Sequence, residues 1–127
     1  TLIDDYYVGS EQVVNGDFAN DSDWNKGANI TISGGKAVFA SSPSSQYLDQ
    51  LNVANIGSAY NVSIKVSNYV EGAIFLRHPF NNSIQFAENG TLNITGVSDS
   101  STVLIRTIGV TTLDVDSVTV KRYIEVA

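Results

Sequence analysis

The segment Tyr60-Asn61-Val62-Ser63-Ile64-Lys65-Val66-Ser67 alternates apolar and polar residues without a break. Successive side chains of an extended chain point to opposite faces. Tyr60, Val62, Ile64 and Val66 therefore share one face, and Asn61, Ser63, Lys65 and Ser67 the other. That is a strand buried on one side. Shorter runs of the same kind predict strands over 29–33, 36–40, 46–53, 72–78, 83–87, 91–95 and 102–108, with a long final run over 113–126. No stretch shows a helical period. Turn-forming clusters separate the runs: Ser33-Gly34-Gly35, 41–45 around Pro43, 55–58, 78–82, Asn89-Gly90 and 98–101. Asn89-Gly90 reads as a type I′ hairpin turn. Strands at roughly 8–12-residue spacing with turns between them predict an all-β antiparallel sandwich or barrel.

Composition narrows this further. Among 127 residues there are 12 Asn and 24 Ser plus Thr, residues that favour turns and solvent faces over helix interiors. The length is one domain's worth and long enough to bury a core without staples. With no Cys, disulfides, thiolate nucleophiles and zinc–sulfur sites are excluded together. A net charge of −6 argues against nucleic acid or an anionic membrane surface as partner. The longest unbroken apolar stretch, Ala73-Ile74-Phe75-Leu76, is far too short to span a bilayer. No basic region followed by an apolar run opens the chain, so no signal peptide is expected in this form.

The last run changes parity. Leu113 and Val115 are in phase with each other, as are Val118 and Val120, but the two pairs are out of phase. One extra residue near Asp116-Ser117 restores the register, which predicts a β-bulge there. Residues 1–10 precede the patterned region. With Asp4-Asp5 and Tyr6-Tyr7 they are acidic and aromatic, and read either as an arm that docks on a neighbour or as a frayed terminus. The patterned domain is then 11–127.

Val13-Val14-Asn15-Gly16-Asp17-Phe18, with Trp24 six residues on, resembles the opening of carbohydrate-binding modules of families four, nine and twenty-two. Leu113-Asp114-Val115-Asp116-Ser117-Val118-Thr119-Val120 resembles their closing strand. The Gly34-Gly35 hairpin followed by Lys36-Ala37-Val38-Phe39, and the stretch 55–64, are similar to parts between. The resemblance covers about 11–121 and implies a galactose-binding-like jelly-roll β-sandwich without catalytic machinery. Similar domains occur in structural proteins of marine bacteriophages, whose strings resemble Asp23-Trp24-Asn25-Lys26-Gly27 and Ile32-Ser33-Gly34-Gly35-Lys36-Ala37. Phe18 and Trp24 are expected to plug one end of the sandwich as core.

The resemblance also implies a structural Ca²⁺ held by oxygens of the opening turn and the closing strand. Asp17 and Asp116 match by position, while Ala19 stands where the family usually has Glu. Ca²⁺ takes about 6–8 oxygens, so two carboxylates with carbonyls would make a weak site. Otherwise Asp17 caps its own turn and Asp116 belongs to the bulge.

A sugar site needs aromatic faces for stacking and polar groups for the hydroxyls. The candidates are Tyr47, Gln50, Tyr69, Arg77, His78 and Phe80. Ile74 and Leu76 are the better core pair, which would leave Phe75 and Arg77 on the opposite face. The competing reading makes Arg77 a solvated strand residue and His78-Pro79 a plain turn. Enzymatic activity is not expected: His78 has no Cys partner, and no Ser sits in a G-x-S-x-G elbow. Asp114 and Asp116, two apart on a strand, point the same way rather than facing each other across a cleft.

The chain begins at the small residue Thr1 and ends soon after the closing strand without a tether. This favours a virion protein of a bacteriophage: a capsid decoration or cement protein, or part of a tail or fibre. Its partners would be neighbouring virion proteins and cell-surface glycans, and it would act as an oligomer within an assembly. The alternative is a carbohydrate-binding module of a glycan-degrading or cell-surface protein.

Overall fold

Extended backbone accounts for every regular element of the structure. The computed structural model describes residues 2–3, 6–80 and 84–125 and has no helix among them. The strands in chain order are β1 (Leu2–Ile3), β2 (Tyr6–Glu11), β3 (Asn25–Lys26), β4 (Ile30–Ser33), β5 (Lys36–Ser42), β6 (Tyr47–Gln50), β7 (Ala59–His78), β8 (Gly90–Val97) and β9 (Val103–Glu125). All the pairings between them are antiparallel.

At 20 and 23 residues, β7 and β9 far exceed the five or six residues usual for a strand. The sequence pattern splits each of them in two. In the structure each runs unbroken through a bend and serves both layers of a sandwich. Residues 59–66 of β7 pair with β8, and residues 60–67 pair with the later part of β9. Residues 73–78 pair with 104–108 of β9. One layer is therefore β8-β7-β9-β5-β4, with β2 beside the end of β9. The other is β3-β6-β9-β7, extended by a bridge between Ile74 and Phe86. Phe86 is the point at which the strand expected over 83–87 is paired; Ser83 lies outside the described residues.

Alternation decides what fills the space between the layers. Ile30, Ile32, Ala37, Phe39, Val62, Ile64, Val66, Val118 and Val120 are buried from one side. Leu48, Ile74, Leu76, Val103 and Ile105 are buried from the other. Phe18 and Trp24 close one end, with ring centroids 5.3 Å apart. The Trp24 indole N–H donates to the Asn15 carbonyl at 2.9 Å. Asn15 sits at φ 55°, a conformation Asn tolerates, and its Nδ2 donates to the carbonyls of Asn20 and Ser22. The loop between opening turn and Trp24 is thus wrapped around one amide.

The bulge falls where the parity break places it. Lys65 pairs with Ser117 and Val66 with Val115, which leaves Asp116 without an opposite residue. The Gly34-Gly35 turn has φ values of 63° and 77°, as a type I′ turn requires, and joins β4 to β5 directly. Asn89-Gly90 corrects the expectation of a hairpin. β8 pairs with residues 59–66, distant in the chain, and of the two only Gly90 has positive φ. The Asn89 side chain instead accepts the Tyr69 N–H at 2.9 Å, so a tertiary contact takes the place of the local turn.

Residues 6–11 of the expected arm form β2, which lies along the end of β9 with Tyr6 opposite Glu125 and Glu11 opposite Lys121. Thr1, Asp4, Asp5, Val126 and Ala127 lie outside the described residues. The register slips between Val8 and Glu11. There Glu11 Oε2 accepts the N–H groups of Gln12 at 3.0 Å, Val13 at 3.1 Å and Val120 at 2.7 Å. The Gln12 N–H also reaches the Val120 carbonyl at 2.8 Å, so the carboxylate substitutes for missing ladder partners at Val13 and Val120.

Candidate functional site

The β3-β6-β9-β7 layer turns Leu48, Gln50, Val103, Ile105, Thr107, Ile74 and Leu76 inward. Strict alternation leaves Tyr47, Asp49, Leu104, Arg106, Phe75 and Arg77 on the outer face. The ladder places three of these in one row, with Tyr47 opposite Arg106 and Arg106 opposite Phe75. The Arg106 guanidinium carbon lies 6.0 Å from the Tyr47 ring centroid and 5.9 Å from that of Phe75. The cation is thus held between two rings, each contact worth about 0.5–1 kcal/mol at an exposed site. Arg106 Nη2 also donates to Ser45 Oγ at 2.7 Å. In the next row Asp49 lies opposite Leu104, and Arg77 follows Phe75 two residues along β7. Asp49 accepts the Asn25 side-chain amide at 3.2 Å. Tyr47 is 43% exposed, enough to leave a ring face to solvent.

Two of the six residues proposed for sugar contact, Tyr47 and Arg77, meet on this face. His78 stands at its end, opposite Leu104, with Nδ1 4.0 Å from Asp99 Oδ1. The other three are placed differently. Gln50 is buried: its Oε1 accepts the Val14 N–H at 2.9 Å and its Nε2 donates to the Val14 carbonyl at 2.8 Å. Three residues from Tyr47, it falls on the opposite face by alternation alone. Phe80 is buried against Gly96, whose missing Cβ leaves room for the ring. Tyr69 packs against the core at the bend of β7 and donates its hydroxyl to the Gly72 carbonyl at 2.8 Å. The pattern does put Phe75 outside, opposite buried Ile74 and Leu76. Arg106 is not among the sequence candidates, although Val103, Ile105 and Thr107 in alternation signal that it faces out.

Asp17 and Asp116 lie near each other along the chain path, because Gly16 accepts the Val118 N–H at 2.8 Å. A Cβ on Gly16 would collide with the Val118 carbonyl, so the opening turn presses directly on β9. A cleft of about 360 Å³ between them is lined by Glu11, Asn15, Gly16, Asp17, Ser117, Val118 and Thr119. Asp116 is not in that lining: its Oδ1 accepts the Ser67 hydroxyl at 2.8 Å. Asp17 Oδ1 accepts the Ala19 N–H at 3.2 Å, capping its own turn. Glu11 Oε2 already holds three N–H groups. Among the described residues no three His, Asp or Glu side chains gather as a ligand set. This donor set does not fit Ca²⁺, a cation that takes about 6–8 oxygens. Melting curves in millimolar Ca²⁺ and in EDTA are expected to superpose; a calcium-dependent rise in Tm would reinstate the site.

Asp114 and Asp116 are likewise tied to neighbours. Asp114 Oδ2 accepts the Asn68 amide at 2.8 Å and lies 3.5 Å from Lys36 Nζ, while Asp116 engages Ser67.

Two layers joined by the long strands β7 and β9 define the class of fold: an antiparallel jelly-roll β-sandwich, the fold seen in carbohydrate-binding modules. Neither a family model nor a curated protein matches the sequence. Among solved structures, the chain is similar to the CBM35 from Paenibacillus barcinonensis, with a TM-score of 0.57 at 14% identity over 91% of this chain and 96% of that one. A structure described as "CBM4 structure and function" aligns with a TM-score of 0.48 at 17% identity, over 92% and 86% of the two chains. The fold assignment rests on the first.

Proposed function

We propose that this chain is a non-catalytic glycan-binding module that seats a sugar on the outer face of the β3-β6-β9-β7 layer. The observation that carries this reading is the Tyr47-Arg106-Phe75 row. A pyranose presents one apolar C–H face and a rim of hydroxyls. Tyr47 offers the matching ring. Arg106, Arg77, Asp49 and Asn25 offer donors and acceptors around it. The row is prearranged, because Arg106 is already braced by two rings and Ser45. Little side-chain ordering remains to oppose binding. The comparisons give no support to a capsid-decoration role, and the fold favours the sugar-binding reading.

Affinity electrophoresis against a panel of neutral and charged polysaccharides tests the proposal. Wild type should be retarded by at least one of them. Tyr47→Ala should weaken that binding about tenfold, the loss of one stacked ring. Its Tm should hold, because Tyr47 is exposed. No retardation by any polysaccharide, or full retention of binding in Tyr47→Ala, would remove the proposal.

A further inference from the structure

The charge pattern on this face names a class of sugar, on the reading that the face binds glycans at all. We propose that it selects glycans bearing negative charge, as carboxylate or sulfate groups. The chain carries thirteen acidic and seven basic residues, so a basic side chain has abundant partners to choose from. Lys26 pairs with Asp21, Lys36 with Asp114, and His78 lies by Asp99. Arg77 and Arg106 have no carboxylate within 4.0 Å among the described residues. Arg106 reaches only the Ser45 hydroxyl, and Arg77 meets no acceptor there.

Arg77 follows two residues after Phe75, which lies opposite Arg106, so the two arginines come from adjacent strands of this face. Two like charges on one face repel. An anionic ligand set over both would relieve that repulsion. Arg is also the residue whose planar fork matches carboxylate and sulfate oxygens in pairs, and it stacks on rings as Arg106 does here. Lys65, Lys121 and Arg122 also have no carboxylate within 4.0 Å among the described residues, but they lie on the other layer, away from the Tyr47-Arg106-Phe75 row. Asp49 bounds the face on the far side of Leu104 from Arg77 and is occupied by Asn25. A protein of net charge −6 is repelled by polyanions in general. Retention by a polyanion would therefore report a local site and not bulk ion exchange.

The test uses matched pairs that share a backbone: polygalacturonate with its methyl ester, and a sulfated galactan with its desulfated form. The first pair reads carboxylate recognition and the second sulfate. The charged member of at least one pair should bind more tightly than its neutral partner, with a loss of affinity as salt rises. Arg77→Gln and Arg106→Gln should each reduce that binding about tenfold or more, and Lys121→Gln should leave it unchanged. Arg77 has no partner among the described residues to lose, so Arg77→Gln keeps the test open if Arg106→Gln folds poorly. Equal binding of charged and neutral members, or binding indifferent to both arginine variants, overturns the charge selectivity while leaving the glycan module standing. No binding to any of the four, with another polysaccharide of the panel still bound, overturns the charge selectivity alone; no binding to any polysaccharide removes both.

Discussion

Gly72→Ala is expected to lower Tm by more than about 10 °C, whereas Gly35→Ala lowers it by only about 3–6 °C. The two glycines have nearly the same backbone conformation, with φ 79° at Gly72 and 77° at Gly35. Each substitution therefore carries the same left-handed penalty, of order 1 kcal/mol. They differ in surroundings. A Cβ at Gly35 meets nothing within 4 Å, because the turn between β4 and β5 projects into solvent. A Cβ at Gly72 runs into the Val110 carbonyl and the Thr111 hydroxyl where β7 and β9 bend past each other. Neither can withdraw. Thr111 is wholly buried, and its Oγ1 lies 3.2 Å from the Ala73 carbonyl and 3.1 Å from that of Gly109. Relief requires parting the two strands that join both layers, an overpacking cost of about 1–3 kcal/mol or more on top of the conformational one. Thermal melts followed by circular dichroism measure both variants. Equal losses would show that the bend has slack and that the two layers are not locked there.

Trp24→Ala is the second large effect, a loss of about 3–5 kcal/mol from a domain whose total is about 5–15 kcal/mol. The ring is 7% exposed, stacks on Phe18 and donates its N–H to Asn15, so its removal opens the end of the sandwich and frees the loop that Asn15 organises. Trp24→Phe keeps most of the packing and loses the hydrogen bond, for about 1–2 kcal/mol. Urea unfolding gives these values. Glycan binding by Trp24→Phe should equal that of wild type, because the indole has no face left to offer a sugar. A variant that stays stable and stops binding would move Trp24 from core to ligand platform.

The contrast between Gln50 and Arg106 shows what local pattern could and could not say about the site. Gln50 shares a strand with Tyr47, yet the odd spacing already sends it inward, to grip the Val14 peptide from both sides. Arg106 lies in a strand whose inward members were evident, but nothing local says that Tyr47 and Phe75 flank it. Those two residues lie 59 and 31 positions away and reach it only through cross-strand register.

Local pattern alone specified most of the extended runs and their faces, the buried pair Ile74 and Leu76, the Gly34-Gly35 turn and the bulge at Asp116. All of these follow from a two-residue period and from φ preferences, which are properties of neighbouring residues. Tertiary structure alone decided that β7 and β9 pass unbroken from layer to layer, that Asn89 binds Tyr69 instead of closing a hairpin, and that Tyr47, Arg106 and Phe75 form one row. Each depends on packing and register between segments far apart in the chain. Such register is set by how the two layers bury their apolar faces together, and no single window of the sequence contains that information.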